Sequence, residues 1–395
     1  MDDCSLKVRE IVLNTRKPII LRSYKPKWTC FQNGIDGWCR NLDRHAQEPL
    51  AFECMSAKDS KTPQWERKRV IKQMTATDFL KYNCESMWLG LNYKRVHELP
   101  SICSENINFA CFGFPEAHKD CTFWLSSKNQ NTPCHYDTYG CNIVVQIYGK
   151  KSWLLFPPST NLTASRIPYE ESSVYCLENF YAPHSKEFPE LLQLSEHAYQ
   201  VVLEPNDILI IPRHWWHYVE ALETSLSLNS WIPLDVDIES QIEECIVKYL
   251  IENFTRNSSA NIKGYVMNPN QLTEIIDDDE EVFKILNVLL EEKQSLLSGK
   301  KGGSLQTAYS YQYINEEETC NLLKNFENIT QVPKLTLADY EKLIKTNSER
   351  YRYEEGSSSK PINDLQEWLI CSICSPAVVN VIKNNLFKRW KKGRL

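Results

Sequence analysis

The chain has 395 residues, 42% of them apolar and 24% charged, with a net charge of -6. Such values suit a folded water-soluble protein and exclude disorder throughout, and the acidic balance excludes nucleic-acid binding driven by bulk charge. No apolar run approaches the roughly 18 residues of a membrane span, and Met1-Asp2-Asp3-Cys4-Ser5 has neither the basic start nor the apolar stretch of an export signal. The expectation is a soluble intracellular protein, cytoplasmic with the nucleus as a second site, that works without a membrane or a direct nucleic-acid partner.

Fifteen cysteines, an odd number, fit buried thiols in a reducing compartment better than a disulfide framework. Cys371-Ser-Ile-Cys374 has zinc-ligand spacing, yet no second pair completes a four-ligand site. The pair lies in an apolar run with Trp368, Leu369, Ile370 and Ile373, so core packing is expected. The sequons at Asn161, Asn253, Asn257 and Asn328 are read as chance occurrences.

Residues 1–104 read as an α/β segment. Leu6, Val8, Ile11 and Val12 mark an amphipathic helix ended by Pro18, and Ile19-Ile20-Leu21 a short buried strand. Thr75 can cap a helix running to about Tyr82, with Asp78 at its third position and Met74 stapling onto Phe79. Residues 105–235 change to short β runs separated by Pro, Asn and Gly. Examples are Asn142–Tyr148, Ser152–Phe156, Tyr199–Leu203, Asp207–Ile211 and Ser225–Leu228. This pattern predicts a sandwich or barrel, the double-sheet jelly roll included. Residues 236–395 read as helical. Ile238, Ile242, Cys245, Ile246 and Tyr249 share one face, Val282, Ile285, Leu286 and Leu289 another, and Thr336 with Asp339 makes a further cap. Two Gly/Ser-rich breaks, at 298–303 and 354–361, read as flexible loops. The acidic run Asp277–Glu281 suits a helix start, and the basic group Lys383, Lys388, Arg389, Lys391, Lys392 and Arg394 a helix end.

The chemistry concentrates in Thr132-Pro-Cys-His-Tyr-Asp137. Residues two apart in a strand point to one side, so His135 and Asp137 project together. An imidazole and a carboxylate so placed are two-thirds of a facial triad, which holds iron(II) and leaves three positions open. His217, just after a predicted strand, is the best-placed third ligand among the eight histidines. His214, three residues before it, faces the other side if the stretch is extended. Lys150 and Lys151 start a strand where a cation can bind the far carboxylate of a small dicarboxylic acid, and Thr132 can donate a hydroxyl to the same group. Asn142 and Asn229 lie in otherwise apolar strands, where a buried amide needs partners.

The strings "FWLSSKNQNTPCHYD", "CNIVVQIYGKKSWLLFPP", "PNDILIIPRHWWHYVE" and "TSLSLNSWIP" resemble the JmjC domains of the cupin type. The likeness is greatest to the small-protein hydroxylases, a branch that includes the asparaginyl hydroxylase of hypoxia-inducible factor, and to a member named for associating with a small heat-shock protein. It covers about a third of the chain strongly, from about Phe123 to Pro233. What it implies is a mostly β core with α additions: a double-stranded β-helix flanked by the N-terminal α/β segment and the C-terminal helices. It further implies an iron(II)- and 2-oxoglutarate-dependent dioxygenase that hydroxylates a protein side chain. The rival readings are an adaptor for a small heat-shock protein and, behind both, a lysine demethylase.

On the same resemblance His135, Asp137 and His217 would hold the iron. Lys151 would meet the distal carboxylate of 2-oxoglutarate; the family's lysine stands one position closer to the first ligand, which makes Lys150 the rival, and only one of the two can face inward. Thr132, Asn142, Asn229 and Tyr93 would line the cosubstrate, and Trp153, Trp215, Trp216 and Trp231 could build pocket walls, simple core packing being the commoner role of each. Cys134 and Cys141, beside the site, read as buried small hydrophobes. A dimer through residues 236–297 is the oligomeric form left open.

Overall fold

A computed structural model describes residues 3–46, 48–56, 70–84, 86–267, 279–299, 308–310, 314–350 and 361–393. Among these residues the strands form two antiparallel sheets, one of nine strands and one of six. In its central stretch the chain crosses repeatedly between the sheets, although the strands from Lys151–Phe156 through Tyr199–Leu203 all stay in the smaller one. Thr122–Ser126, Cys141–Tyr148, Ile208–Ile211 and Ser225–Ile232 belong to the larger sheet, while Asn131–Asp137, Lys151–Phe156, Tyr199–Leu203 and Trp216–Ala221 belong to the smaller. This crossing back and forth is the jelly-roll arrangement.

The alternating patterns in the sequence account for the layers. In Cys141–Tyr148, Ile143 and Val145 join the core on the outer face of the larger sheet, whereas Val144 points between the sheets. The outer core also takes Ile11, Trp38, Phe79 and Phe112 from the N-terminal segment. Between the sheets, Ile20, Val144, Leu155, Leu209 and Trp215 close one end; the other end is open. On the outer face of the smaller sheet Leu154, Phe156 and Trp216 pack against Phe180, Leu191 and Tyr340.

The three stretches marked out in the sequence interleave in space. Ile19–Leu21 pairs with Ile208–Ile211 on one side and with Ile329–Gln331 on the other, so the first and last stretches both extend the central sheet. The helix Asp3–Asn14 ends before Pro18 as its pattern predicts. Thr75 caps Ala76–Leu80 by accepting from the Asp78 amide at 3.0 Å, and Asp43 accepts from the amides of Ala76 and Thr77. Two sources of acceptors thus satisfy one helix start. Thr336 caps Leu337–Ser348 in the same manner.

The C-terminal helices gather around Ile238, Ile242, Ile246, Leu286, Leu290, Ile370 and Val379. Cys374 and Ile370 are buried there, but Trp368 and Leu369 are exposed, because Asp364–Ile373 turns only one face inward. Ile285 is likewise exposed, Val282 and Leu286 being the buried pair. Lys383, of the basic group, is buried and ion-paired with Glu239 at 2.8 Å and Glu243 at 2.6 Å. The breaks at 298–303 and 354–361, the start of the acidic run and Arg394 lie largely outside the described residues. Among the described residues no single helix is long and apolar enough to cross a membrane.

Candidate metal centre

The open end between the sheets is a cavity of about 270 Å³ lined by residues of both. His135 and Asp137 enter it from Asn131–Asp137, and His217 from Trp216–Ala221, where it lies opposite His135 in register. Nε2 of His135 is 3.7 Å from Asp137 Oδ1, and Nε2 of His217 is 3.9 Å from Oδ2. The three ligand atoms all lie within 4.8 Å of one another. Two donors bonded at about 2.1 Å to one ion stand at most about 4.2 Å apart, a limit that the 3.7 and 3.9 Å pairs meet.

Each ring has its other nitrogen occupied. His135 Nδ1 lies 2.9 Å from the Pro133 carbonyl and His217 Nδ1 2.9 Å from the Trp215 carbonyl. A carbonyl only accepts, so each Nδ1 carries a proton and each Nε2 is turned to the cavity, the orientation that metal-binding imidazoles require. Asp137 is held just as firmly. Trp231 Nε1 donates to its Oδ2 at 2.9 Å and Asn142 Nδ2 at 3.2 Å. Asn229 donates to Asn142 at 2.9 Å, and Trp124 donates to Asn229 at 2.8 Å. This chain of donors answers the question raised by two amides in apolar strands, since every link finds an acceptor.

Lys151 reaches the cavity from the first position of its strand. It is 4% exposed, and its Nζ donates to Ser227 Oγ at 3.0 Å, the one hydrogen bond it makes among the described residues. Burial disfavours the ammonium form and pushes its pKa down to about 7. Lys150 points outward to Glu204 at 2.7 Å, so the two lysines divide between the faces as strand geometry demands. Thr132 also lines the cavity, although it is three residues from His135 and a regular strand would turn it away. A bulge is the reason: His217 and Val219 stand opposite His135 and Thr132, two steps matched to three.

Other expected residues lie elsewhere. His214 accepts no place in the cavity. It sits at φ 64° with Nε2 3.2 Å from the Thr138 carbonyl, and burial pushes its pKa down to about 3. Trp153 and Trp231 are cavity walls, whereas Trp215 closes the far end between the sheets and Trp216 packs on the outer face. Cys134 and Cys141 are buried. Tyr93 borders the cavity, packs its ring 4.6 Å from that of Trp124, and donates its hydroxyl to Glu170 at 3.4 Å.

Sequence reasoning missed Ser227, Trp124 and the roles of Trp231 and Glu170. Two of these were within reach: Ser227 and Trp231 flank Asn229 at a spacing of two, and strand residues so spaced share a face.

A cupin-like domain model matches residues 5–233, and the chain belongs to this family, in its JmjC division. Among named proteins it is 31% identical over 308 residues to the HSPB1-associated protein 1 homolog of Danio rerio, covering 72% of this chain and 67% of that one. It is 32% identical over 290 residues to HSPB1-associated protein 1 of Homo sapiens, covering 68% and 58%. The match thus spans less than two thirds of the human protein. A more distant relative, lysine-specific demethylase JMJ31 of Arabidopsis thaliana, is 24% identical over 160 residues, 40% of this chain and 29% of its own.

Proposed function

We propose that this protein is an iron(II)- and 2-oxoglutarate-dependent oxygenase that hydroxylates a side chain of a protein or peptide. The observation that carries this reading is the sharing of one cavity by a three-donor cluster and a buried ammonium. Two neutral imidazoles and a carboxylate suit iron(II) and leave sites open for a chelating cosubstrate and O2. When bound, the metal and 2-oxoglutarate supply the oxidation of an unreactive C–H bond, with succinate and carbon dioxide as by-products.

The chain's own residues bind, orient and shield. His135, Asp137 and His217 would hold the metal, their orientation set by the two backbone carbonyls and by Asn142 and Trp231. Lys151, with Ser227 and Thr132 beside it, would take the distal carboxylate. A dicarboxylate there supplies the counter-charge that the buried ammonium lacks among the described residues. Trp153 and Val219 keep the floor of the cavity apolar. None of the fifteen cysteines is in a disulfide, which supports residence in a reducing compartment, the cytoplasm or nucleus.

Anaerobic mixing of the protein with iron(II) and 2-oxoglutarate tests this directly. A weak visible charge-transfer band is expected, lost in His135→Ala. No band from the unaltered protein would sink the reading. A screen of cellular peptides for the mass gain of one oxygen atom then separates hydroxylation from demethylation, which releases formaldehyde instead.

The printed names of the relatives favour a second reading, an adaptor that binds a small heat-shock protein. The two roles are compatible. Capture of such a protein that survives replacement of His135, Asp137 and His217 by alanine would place docking outside the metal centre.

A further inference from the structure

Behind the strand that carries His135 and Asp137 lies a pair of thiols that neither metal nor cosubstrate binding uses. His135 faces Tyr175 in the antiparallel pairing of Asn131–Asp137 with Ser173–Cys176, so the next rung of that register sets Cys134 opposite Cys176. Period two turns both away from the cavity and into the core on the outer face of the smaller sheet. There the Cys134 thiol interacts directly with that of Cys176. Among the described strands no other pairing brings two cysteines face to face: Cys54 stands opposite Val70 and Leu89, and Cys141 opposite Ile232. Directly opposed residues of an antiparallel pair have Cα atoms roughly 4.5–5.5 Å apart, within the roughly 4.4–6.8 Å that a disulfide spans. A two-residue strand, Ala164–Ser165, is all that lies between Cys176 and the edge of the sheet, and so short an edge opens locally at lower cost than the sheet interior.

We propose that Cys134 and Cys176 are a site of reversible disulfide formation that clamps one wall of the cavity. The oxidant is a peroxide. One cysteine sulfur attacks its O–O bond, which breaks to give a sulfenic acid and one water. The second sulfur then displaces the hydroxyl from the first, forming the S–S bond and a second water. The two thiols together lose two protons and two electrons, and hydrogen peroxide takes up both to become two waters. The clamp bears on the cavity because the neighbouring rung belongs to it. The Tyr175 ring stands 5.4 Å from that of His135, and its hydroxyl donates to Glu170 at 2.6 Å, which also accepts from Tyr93 of the larger sheet at 3.4 Å. A covalent link one rung away removes the freedom of Ser173–Cys176 to part from the strand of His135, and with it the freedom of the mouth to widen. Forming the link needs neither iron nor 2-oxoglutarate, so it stands apart from the oxygenase reading.

The test treats the folded full chain, freed of metal by a chelator, with dilute hydrogen peroxide. Remaining thiols are blocked by alkylation in urea, and a chymotryptic digest is mapped by mass. Cleavage after Tyr136 and Tyr139 separates Cys134 from Cys141. The expected product is a linked pair of peptides holding Cys134 and Cys176, two hydrogens lighter than their sum and released by dithiothreitol. Amide exchange of Ser173–Cys176 should slow about tenfold in the oxidised protein and stay unchanged in peroxide-treated Cys176→Ser. The exposed thiols of Cys4, Cys84 and Cys320 report that the oxidant has acted. Their oxidation without a link between Cys134 and Cys176 would overturn the proposal. So would a link that forms only when peroxide is added in urea, or one that leaves the exchange rate as it was. Should Cys176→Ser fail to fold, the unaltered protein before oxidation, after it and after reduction decides.

Discussion

The side-chain amide of Asn142 donates to Oδ2 of Asp137 across 3.2 Å, tying a proposed metal ligand on one sheet to a neutral donor on the other. A neutral donor adds no charge to the carboxylate and fixes its rotation, so that Oδ1 faces His135. The donor chain behind Asn142 runs through Asn229 to Trp124, and a network of this kind is worth most when every member is satisfied.

Replacing Asn142 by alanine frees the carboxylate to turn and breaks the chain at its middle. Metal affinity is expected to fall about ten- to hundredfold, read by calorimetric titration with manganese(II) under argon. Trp231→Phe removes the other donor to the same oxygen. The double variant should lose less than the product of the two single losses, because both act on one group.

Lys151 should take up a proton when 2-oxoglutarate binds. With its pKa pushed down to about 7 by burial, most of the population is neutral at about pH 8, and a carboxylate partner favours the charged form. Calorimetry in buffers of different ionisation enthalpy should show uptake approaching one proton at that pH and little at about pH 6. Uptake that does not change with pH would count against Lys151 as the anchor.

The same lysine shapes stability without ligand. The unfolded chain holds this proton up to its ordinary pKa of 10.5, while the folded chain releases it near 7. Between these values the unfolded state binds more protons, so this group's contribution to stability rises with pH; below about 7 its penalty is complete. Lys151→Met should therefore gain stability relative to the parent at about pH 6, with the gain shrinking toward pH 10. Urea denaturation at several pH values measures it. The variant should also bind 2-oxoglutarate at least tenfold more weakly.

A buried ion pair joins the segment after the strand Ala164–Ser165 to the helix Asp237–Thr255. Arg166 Nη2 lies 2.5 Å from Glu244 Oε2, both residues are buried, and the Tyr169 hydroxyl donates to the same oxygen at 3.1 Å. Glu244→Ala leaves the guanidinium uncompensated and should cost about 3–5 kcal/mol in chemical denaturation. Tyr169→Phe removes one donor and keeps the pair, so its cost should be nearer 1 kcal/mol.

The bulge at Thr132 shows where local reading stops. Period two in Thr132-Pro-Cys-His-Tyr-Asp137 groups His135 with Asp137 and turns Thr132 away, yet the extra residue opposite the His217–Val219 step brings Thr132 to the same face. Nothing in the strand itself announces that step; it arises from pairing with a partner some eighty residues later in the chain. Tyr93 is a parallel case. It lies at φ 53° within a register shift between Leu91 and Lys94, which aims its side chain at the cavity.

By itself the sequence determined the order of strands and helices, the caps at Thr75 and Thr336, and the residue types able to make an iron site, because those properties depend on neighbours within a few positions. Only the tertiary structure decided that His217 rather than His214 faces Asp137, that Lys151 turns inward while Lys150 pairs with Glu204, and that Glu170 sits across the mouth between two tyrosines. Those choices depend on which strand lies opposite which, and in what register. That is settled by burying two sheets against each other and against their helices, not by any single segment.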